Sequence, residues 1–181
     1  MKGLAQIQAW DQRWATALQA PVYRSRFWRG VAHALAHSGD SPVVFGLLAL
    51  LGWMGPEATR GLAWRALAAA FGLAVFVTGV KYILRRERPH SPWGGVYRKT
   101  DPHAFPSGHA ARAALLATLA WLWLSPALAL GVTVWALGVS WARVALGLHY
   151  PTDVFAGWVV GVLAALLVAQ GPAWSDLIPM G

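Results

Sequence analysis

Apolar residues run almost unbroken over positions 62–84, 113–124, 126–142 and 152–169, with short polar or proline-containing breaks between the runs. Each run approaches the roughly 20 residues a helix needs to cross a bilayer once its flanking side chains snorkel. Four helical spans are expected there. A shorter run, 41–55, carries Pro42 where a first helical turn tolerates proline, and it predicts a fifth span. The first forty residues differ, because Asp11, Arg13, Arg24, Arg26 and Arg29 interrupt every apolar run. Leu4, Ile7, Trp10, Trp14 and Leu18 recur at three- and four-residue steps, which makes one apolar stripe on a helix. Trp10, Trp14 and Trp28 beside arginines suit headgroup depth, so residues 1–40 read as amphipathic interfacial helices, with a degenerate first span as the alternative. The pattern predicts an all-α polytopic transmembrane bundle of about five to six spans. Residues 1–40 form the interfacial part, 41–170 the transmembrane domain and 171–181 a C-terminal tail.

Composition sharpens this picture. Of the 181 residues 57% are apolar and 12% are charged, against about 25% charged in an ordinary soluble domain. Too few polar groups are present to solvate a soluble surface, whereas a bilayer requires an apolar exterior. Fifteen Lys and Arg against seven Asp and Glu give a net charge of +8, which asks for an anionic partner. A nucleic-acid binder carries such charge on a soluble domain, so nucleic acid is not expected; anionic lipid headgroups and a phosphorylated membrane substrate are. With no cysteine, disulfides, thiolate metal sites and a Cys nucleophile are all excluded. Asp11 and Arg13 break the apolar core that a signal peptide would need, so no cleaved leader is expected at this N-terminus.

The longest polar segment, 85–105, is dense in Pro, Gly and charge, and so long a loop in a compact domain is usually functional or disordered. Around it lie three groups of residues: Lys81 with Arg88-Pro89; Pro106-Ser107-Gly108-His109; and Arg143, His149 and Asp153. Helices that alternate in direction bring all three groups to one membrane face. Three cations, a hydroxyl and the free amides of a helix start make a receptor for a tetrahedral dianion. Pro151 suits a first helical position, which sets Asp153 one turn on and within reach of the His149 imidazole. A carboxylate there fixes the tautomer and leaves the other ring nitrogen free as a nucleophile, with His109 as the acid.

In the forms Lys-x6-Arg-Pro, Pro-Ser-Gly-His and Arg-x5-His-x3-Asp, these stretches resemble the three signature motifs of the type 2 phosphatidic acid phosphatase (PAP2) superfamily. Ala142 stands where that family usually has serine before the arginine. The resemblance implies a membrane lipid phosphatase that needs neither cofactor nor metal. It implies His149 as the nucleophile forming a phosphohistidine, Asp153 as its orienting carboxylate and His109 as the general acid and then base. It assigns phosphate binding to Lys81, Arg88, Ser107, Gly108 and Arg143. The implied substrates are undecaprenyl diphosphate, phosphatidylglycerol phosphate or phosphatidic acid. The implied location is the cell (inner) membrane, with the active face outside the cytoplasm. The positive-inside rule pulls against that orientation, since cations crowd the active face and the opposite loops hold little beyond Arg60 and Arg65. Competing readings are a lipid phosphotransferase on the same site and a non-enzymatic lipid-binding membrane protein.

The remaining polar residues have blander readings. Arg112 is expected to snorkel, Arg85, Arg86 and Glu87 to form a solvated charge run, and His33 and His37 to pack at the interface without a metal. Trp93, Tyr97 and Trp121 are expected in interfacial belts.

Overall fold

The computed structural model describes residues 2–95 and 101–170. Tyr97, Arg98, Lys99 and the predicted 171–181 tail lie outside the described residues. Among the described residues seven helices follow in order: α1 (Lys2–Arg24), α2 (Arg26–Ser38), α3 (Ser41–Met54), α4 (Glu57–Leu84), α5 (Gly108–Trp123), α6 (Pro126–Ala145) and α7 (Pro151–Gln170). The starts follow local chemistry. Ser25 and Ser107 turn their hydroxyls onto Trp28 N and Ala110 N, and Pro42, Pro126 and Pro151 occupy first-turn positions where no amide donor is missed.

The bundle is built inside out relative to a soluble protein. On α4 the inward positions are Ala63, Ala66 and Ala70, while Phe71, Val75 and Phe76 face outward; Leu128, Val134 and Leu137 on α6 and Phe155, Leu163 and Leu167 on α7 are likewise exposed. Small residues inside let helix backbones approach, and large apolar ones outside suit lipid. The closest approach is between α5 and α7. A Cβ on Gly157 would sit 2.6 Å from Ser107 O, and one on Gly161 would overlap Ala111 O.

The number of spans differs from expectation. Among the described residues three helices, α4, α6 and α7, are long and apolar enough to cross a membrane, and α2 with α3, bent by 55°, makes a fourth if the pair is one broken span. The run at 113–124 falls short because α5 has only 16 residues, about 24 Å of helix against a hydrocarbon core of about 30 Å. It is the central helix, packed on α7, α6 and α4, with Ala110 through Leu115 buried in succession. A helix sheathed in this way does not have to reach both interfaces itself.

Candidate active site

The Arg-x5-His spacing becomes a tight reversal between α6 and α7. Arg143 O accepts the amides of both Leu148 (3.0 Å) and His149 (3.1 Å). Gly147 makes this possible at φ 64°, in the left-handed region, where a Cβ would also come within 3.0 Å of Ser91 Cβ. α7 then starts at Pro151, and Asp153 accepts Tyr150 N at 2.8 Å, which locks its carboxylate beside the His149 ring. His149 Nδ1 lies 3.7 Å from Asp153 Oδ2.

The other face of the ring fixes its protonation. Arg88 Nη1 donates to His149 Nε2 at 2.9 Å and to Leu148 O at 2.8 Å. A guanidinium only donates, so Nε2 must carry the lone pair and the proton sits on Nδ1, toward Asp153. Burial, followed by the nearby charges of Arg88, Arg143 and Lys81, holds the His149 pKa well below the ordinary 6.5. The ring is therefore a neutral base with its basic nitrogen facing cations.

Lys81, in the last turn of α4, and Arg88 both bond Asp101 Oδ2, Arg88 at 2.7 Å. Arg143, fully buried in the last turn of α6, lies within electrostatic range of His149 and His109. Ser107 caps α5, and its own amide donates to Asp153 O at 2.9 Å, which ties the second motif to the third. Gly108 heads α5, with the N-terminal amides beside it. All eight residues singled out in the sequence thus sit at or around one end of the bundle.

Four further residues complete the site. Asp11, fully buried on α1, accepts Arg86 Nη2 (2.6 Å), Thr152 N (3.0 Å) and Thr152 Oγ1 (2.6 Å). Arg86 also donates to Asp153 Oδ1 at 2.6 Å and lies over the Tyr150 ring. Asp11 is therefore more than a charge breaking an apolar stripe: it caps α7 from a distance and holds the arginine that holds Asp153. Arg86 is correspondingly not part of a solvated run. Asp101 and Asp40 are the other two, and Asp40 pairs with His109 at 2.7 Å. Arg112 does not snorkel: it is buried, and it donates to Gly39 O at 2.6 Å with Phe45 against its guanidinium. His33 and His37 stack with ring centroids 6.2 Å apart, and among the described residues they belong to no cluster able to hold a metal. A cavity of about 450 Å³, walled by α2, the α2–α3 turn, Trp93, Asp101, His109 and Leu148, opens onto the site.

The fold is that of an all-helical membrane protein, and one end of its bundle holds two histidine–aspartate pairs, His109 with Asp40 and His149 with Asp153. The PAP2 superfamily model matches residues 63–176, and the chain belongs to that family. It is 39% identical over 132 residues to decaprenylphosphoryl-5-phosphoribose phosphatase of Mycolicibacterium smegmatis, covering 70% of this chain and 69% of that one. It is 33% identical over 114 residues to undecaprenyl-diphosphatase of Sulfolobus acidocaldarius; that match covers 58% of this chain and spans about half, 52%, of the relative. The fold is shared with the PAP2 type phosphatidylglycerolphosphate phosphatase of Bacillus subtilis (TM-score 0.76, 24% identity, 90% of this chain and 84% of that one). It is shared also with LpxE of Aquifex aeolicus (TM-score 0.72, 22% identity, 88% and 94%).

Proposed function

We propose that this protein is a membrane lipid phosphatase that cleaves a phosphomonoester or diphosphate through a phosphohistidine on His149, without a metal. The observation that carries this reading is the setting of His149: Nδ1 toward Asp153 and a lone pair on Nε2 among the cations that hold Asp101. On substrate binding, Lys81 and Arg88 exchange Asp101 for phosphoryl oxygens, and Arg88 Nη1 turns from His149 Nε2 to one of those oxygens and so frees the Nε2 lone pair; Arg143, the Ser107 hydroxyl and the Gly108 amide complete the set. The Nε2 lone pair attacks phosphorus. The bond to the leaving oxygen breaks, and that oxygen takes a proton from His109. Water then attacks the phosphohistidine, His109 accepts the water proton, and the N–P electron pair returns to Nε2. Asp153 stabilises the positive charge that His149 carries as the bond forms. Preorganised donors of this kind are each worth roughly 10²–10³ in rate.

Both curated relatives are named for polyprenyl lipids, so a polyprenyl phosphate or diphosphate heads the substrates to assay, followed by phosphatidylglycerol phosphate and phosphatidic acid. Purified protein in detergent is expected to release inorganic phosphate from at least one of them, with EDTA present and with inhibition by vanadate. Binding without phosphate release would overturn the reading. Transfer of label to a second lipid instead of water would make it a phosphotransferase.

We place the active face outside the cytoplasm of the cell membrane. The active-face cations have a phosphate to hold, and Arg60 and Arg65 at the other end bond Gly55 O and Val168 O as helix-end partners, so neither set is a simple topological count. Because the chain has no cysteine, a single cysteine at exposed His90 reports the side. Reaction of His90→Cys in intact cells with an impermeant maleimide is expected; protection until the cells are lysed would reverse the orientation.

A further inference from the structure

Asp40 stands in the N-cap position of α3, where an aspartate ordinarily accepts an amide of the first turn, a contact worth about 1 kcal/mol. Its side chain makes no such bond. The carboxylate is turned the other way, with Oδ1 2.7 Å from His109 Nε2 and Oδ2 2.9 Å from His37 Nδ1. The turn carrying it is held against the same ring. Arg112, one helical turn after His109 on α5, donates to Gly39 O at 2.6 Å. A Cβ on Gly39 would meet Val139 Cγ1 at 2.9 Å and His109 Cδ2 at 3.4 Å, so glycine is what allows the approach. His109 and Arg112 thus grip consecutive residues of one turn.

We propose that Asp40 is the positioning residue for His109, giving the site a second histidine–carboxylate pair beside His149 and Asp153. The proposal rests on the reading of His109 as the acid. With Nε2–H held by Asp40, proton transfer runs through Nδ1. The imidazolium gives its Nδ1 proton to the leaving oxygen and becomes the Nε2–H tautomer. Its Nδ1 lone pair then takes a proton from the attacking water, which restores the imidazolium. Asp40 stays ionised throughout and stabilises the cationic form. Among the described residues the titratable and charged groups facing His109 include Asp40 from the turn, Arg112 from its own helix, Arg143 from α6 and His149 from the α6–α7 reversal; Asp40 faces His37 as well. Burial above all, and then two arginines, oppose charge on the ring, and the Asp40 carboxylate is what supports it. Arg112 acts by fixing the turn, which accounts for a buried guanidinium so close to the site.

The experiment uses two substrates that differ in their need for an acid. An alkyl phosphate lipid has a leaving alkoxide that must be protonated, whereas an aryl phosphate leaves unaided. In Asp40→Asn, kcat for the alkyl substrate is expected to fall about 10²-fold, the low end for loss of general acid catalysis. The phosphohistidine burst from the aryl substrate is expected to stay within about threefold, and the acid-requiring limb of the kcat–pH profile should move to lower pH. Asp40→Ser, which restores a good cap to α3, should behave in the same way and serves if the asparagine variant does not fold. Asp40→Glu should recover most of the alkyl activity. Equal losses on both substrates, or no loss on either, would overturn the proposal. Wild-type protein inactive on both substrates would instead defeat the phosphatase reading itself.

Discussion

Replacing His149 by alanine is expected to lower phosphate release about 10⁴-fold or more, the scale seen when a nucleophile that works as one unit with its neighbours is removed. The fold should survive. Arg88 loses one acceptor but keeps Leu148 O, Asp101 O and Asp101 Oδ2, so the melting temperature should change by only a few degrees. Trapping with labelled substrate followed by alkaline quench should give a phosphoprotein in the wild type and none in the variant. A His149→Ala protein with full activity would remove the nucleophile from the mechanism. The wild-type ring should also show its electrostatic setting in its titration. Burial and three cations depress the His149 pKa below 6.5, so the ring remains a neutral imidazole at pH values where a solvated histidine is already half protonated. Nitrogen NMR of labelled histidine, assigned with the variant, should place its midpoint below 6.5. The same sign governs stability: between the two pKa values the unfolded chain binds the proton and the folded protein does not. This residue's contribution therefore weakens folding as pH drops below 6.5. A midpoint at or above the ordinary value would contradict the buried, cation-flanked ring.

The second large effect falls far from the motifs. Asp11→Ala leaves Arg86 without one of its two carboxylates and Thr152 without the acceptor for both its amide and its hydroxyl. Removing one partner from a buried ion pair costs about 3–5 kcal/mol, so a large fall in melting temperature in detergent is expected. Activity should fall as well, through Asp153, whose Oδ1 is held by the same Arg86. Asp11→Asn can still accept from Thr152 N and should recover part of the stability but less of the rate, since the charge opposite Arg86 is gone. An Asp11→Ala protein as stable and active as wild type would show that α1 only rests on the bundle.

The apolar runs made the helical bundle readable without coordinates, because they depend on short-range periodicity, and the resemblance of the three motifs between Lys81 and Asp153 singled out eight residues that the fold brings to one end of the bundle. The four acidic and basic partners found later carry neither signal. Asp11 meets Arg86 across 75 positions and Asp40 meets His109 across 69; within its own segment Asp11 reads as a break in an apolar stretch, and Asp40 only as a residue ahead of a helix start. Arg86 and Arg112 were misread for a related reason. A cation near a span end has an inexpensive default, snorkelling to the interface, and only the folded chain brings Gly39 O and Asp153 within reach. The shortfall in α5 has a different origin: an alanine-rich run is equally apolar whether neighbours or lipid surround it.

Asp11 on the first described helix and Thr152 on the last are 141 positions apart, and both are needed to set Asp153. During synthesis the helices emerge in order, so α1 is made before the five described helices that precede its partner α7. Until α7 arrives, Asp11 and Arg86 can hold only each other, and His149 has no carboxylate behind it. The nascent chain can gather its cations early, but the contacts among Asp11, Arg86 and Asp153 form only when α7 reaches α1, so no half-made fragment carries them all.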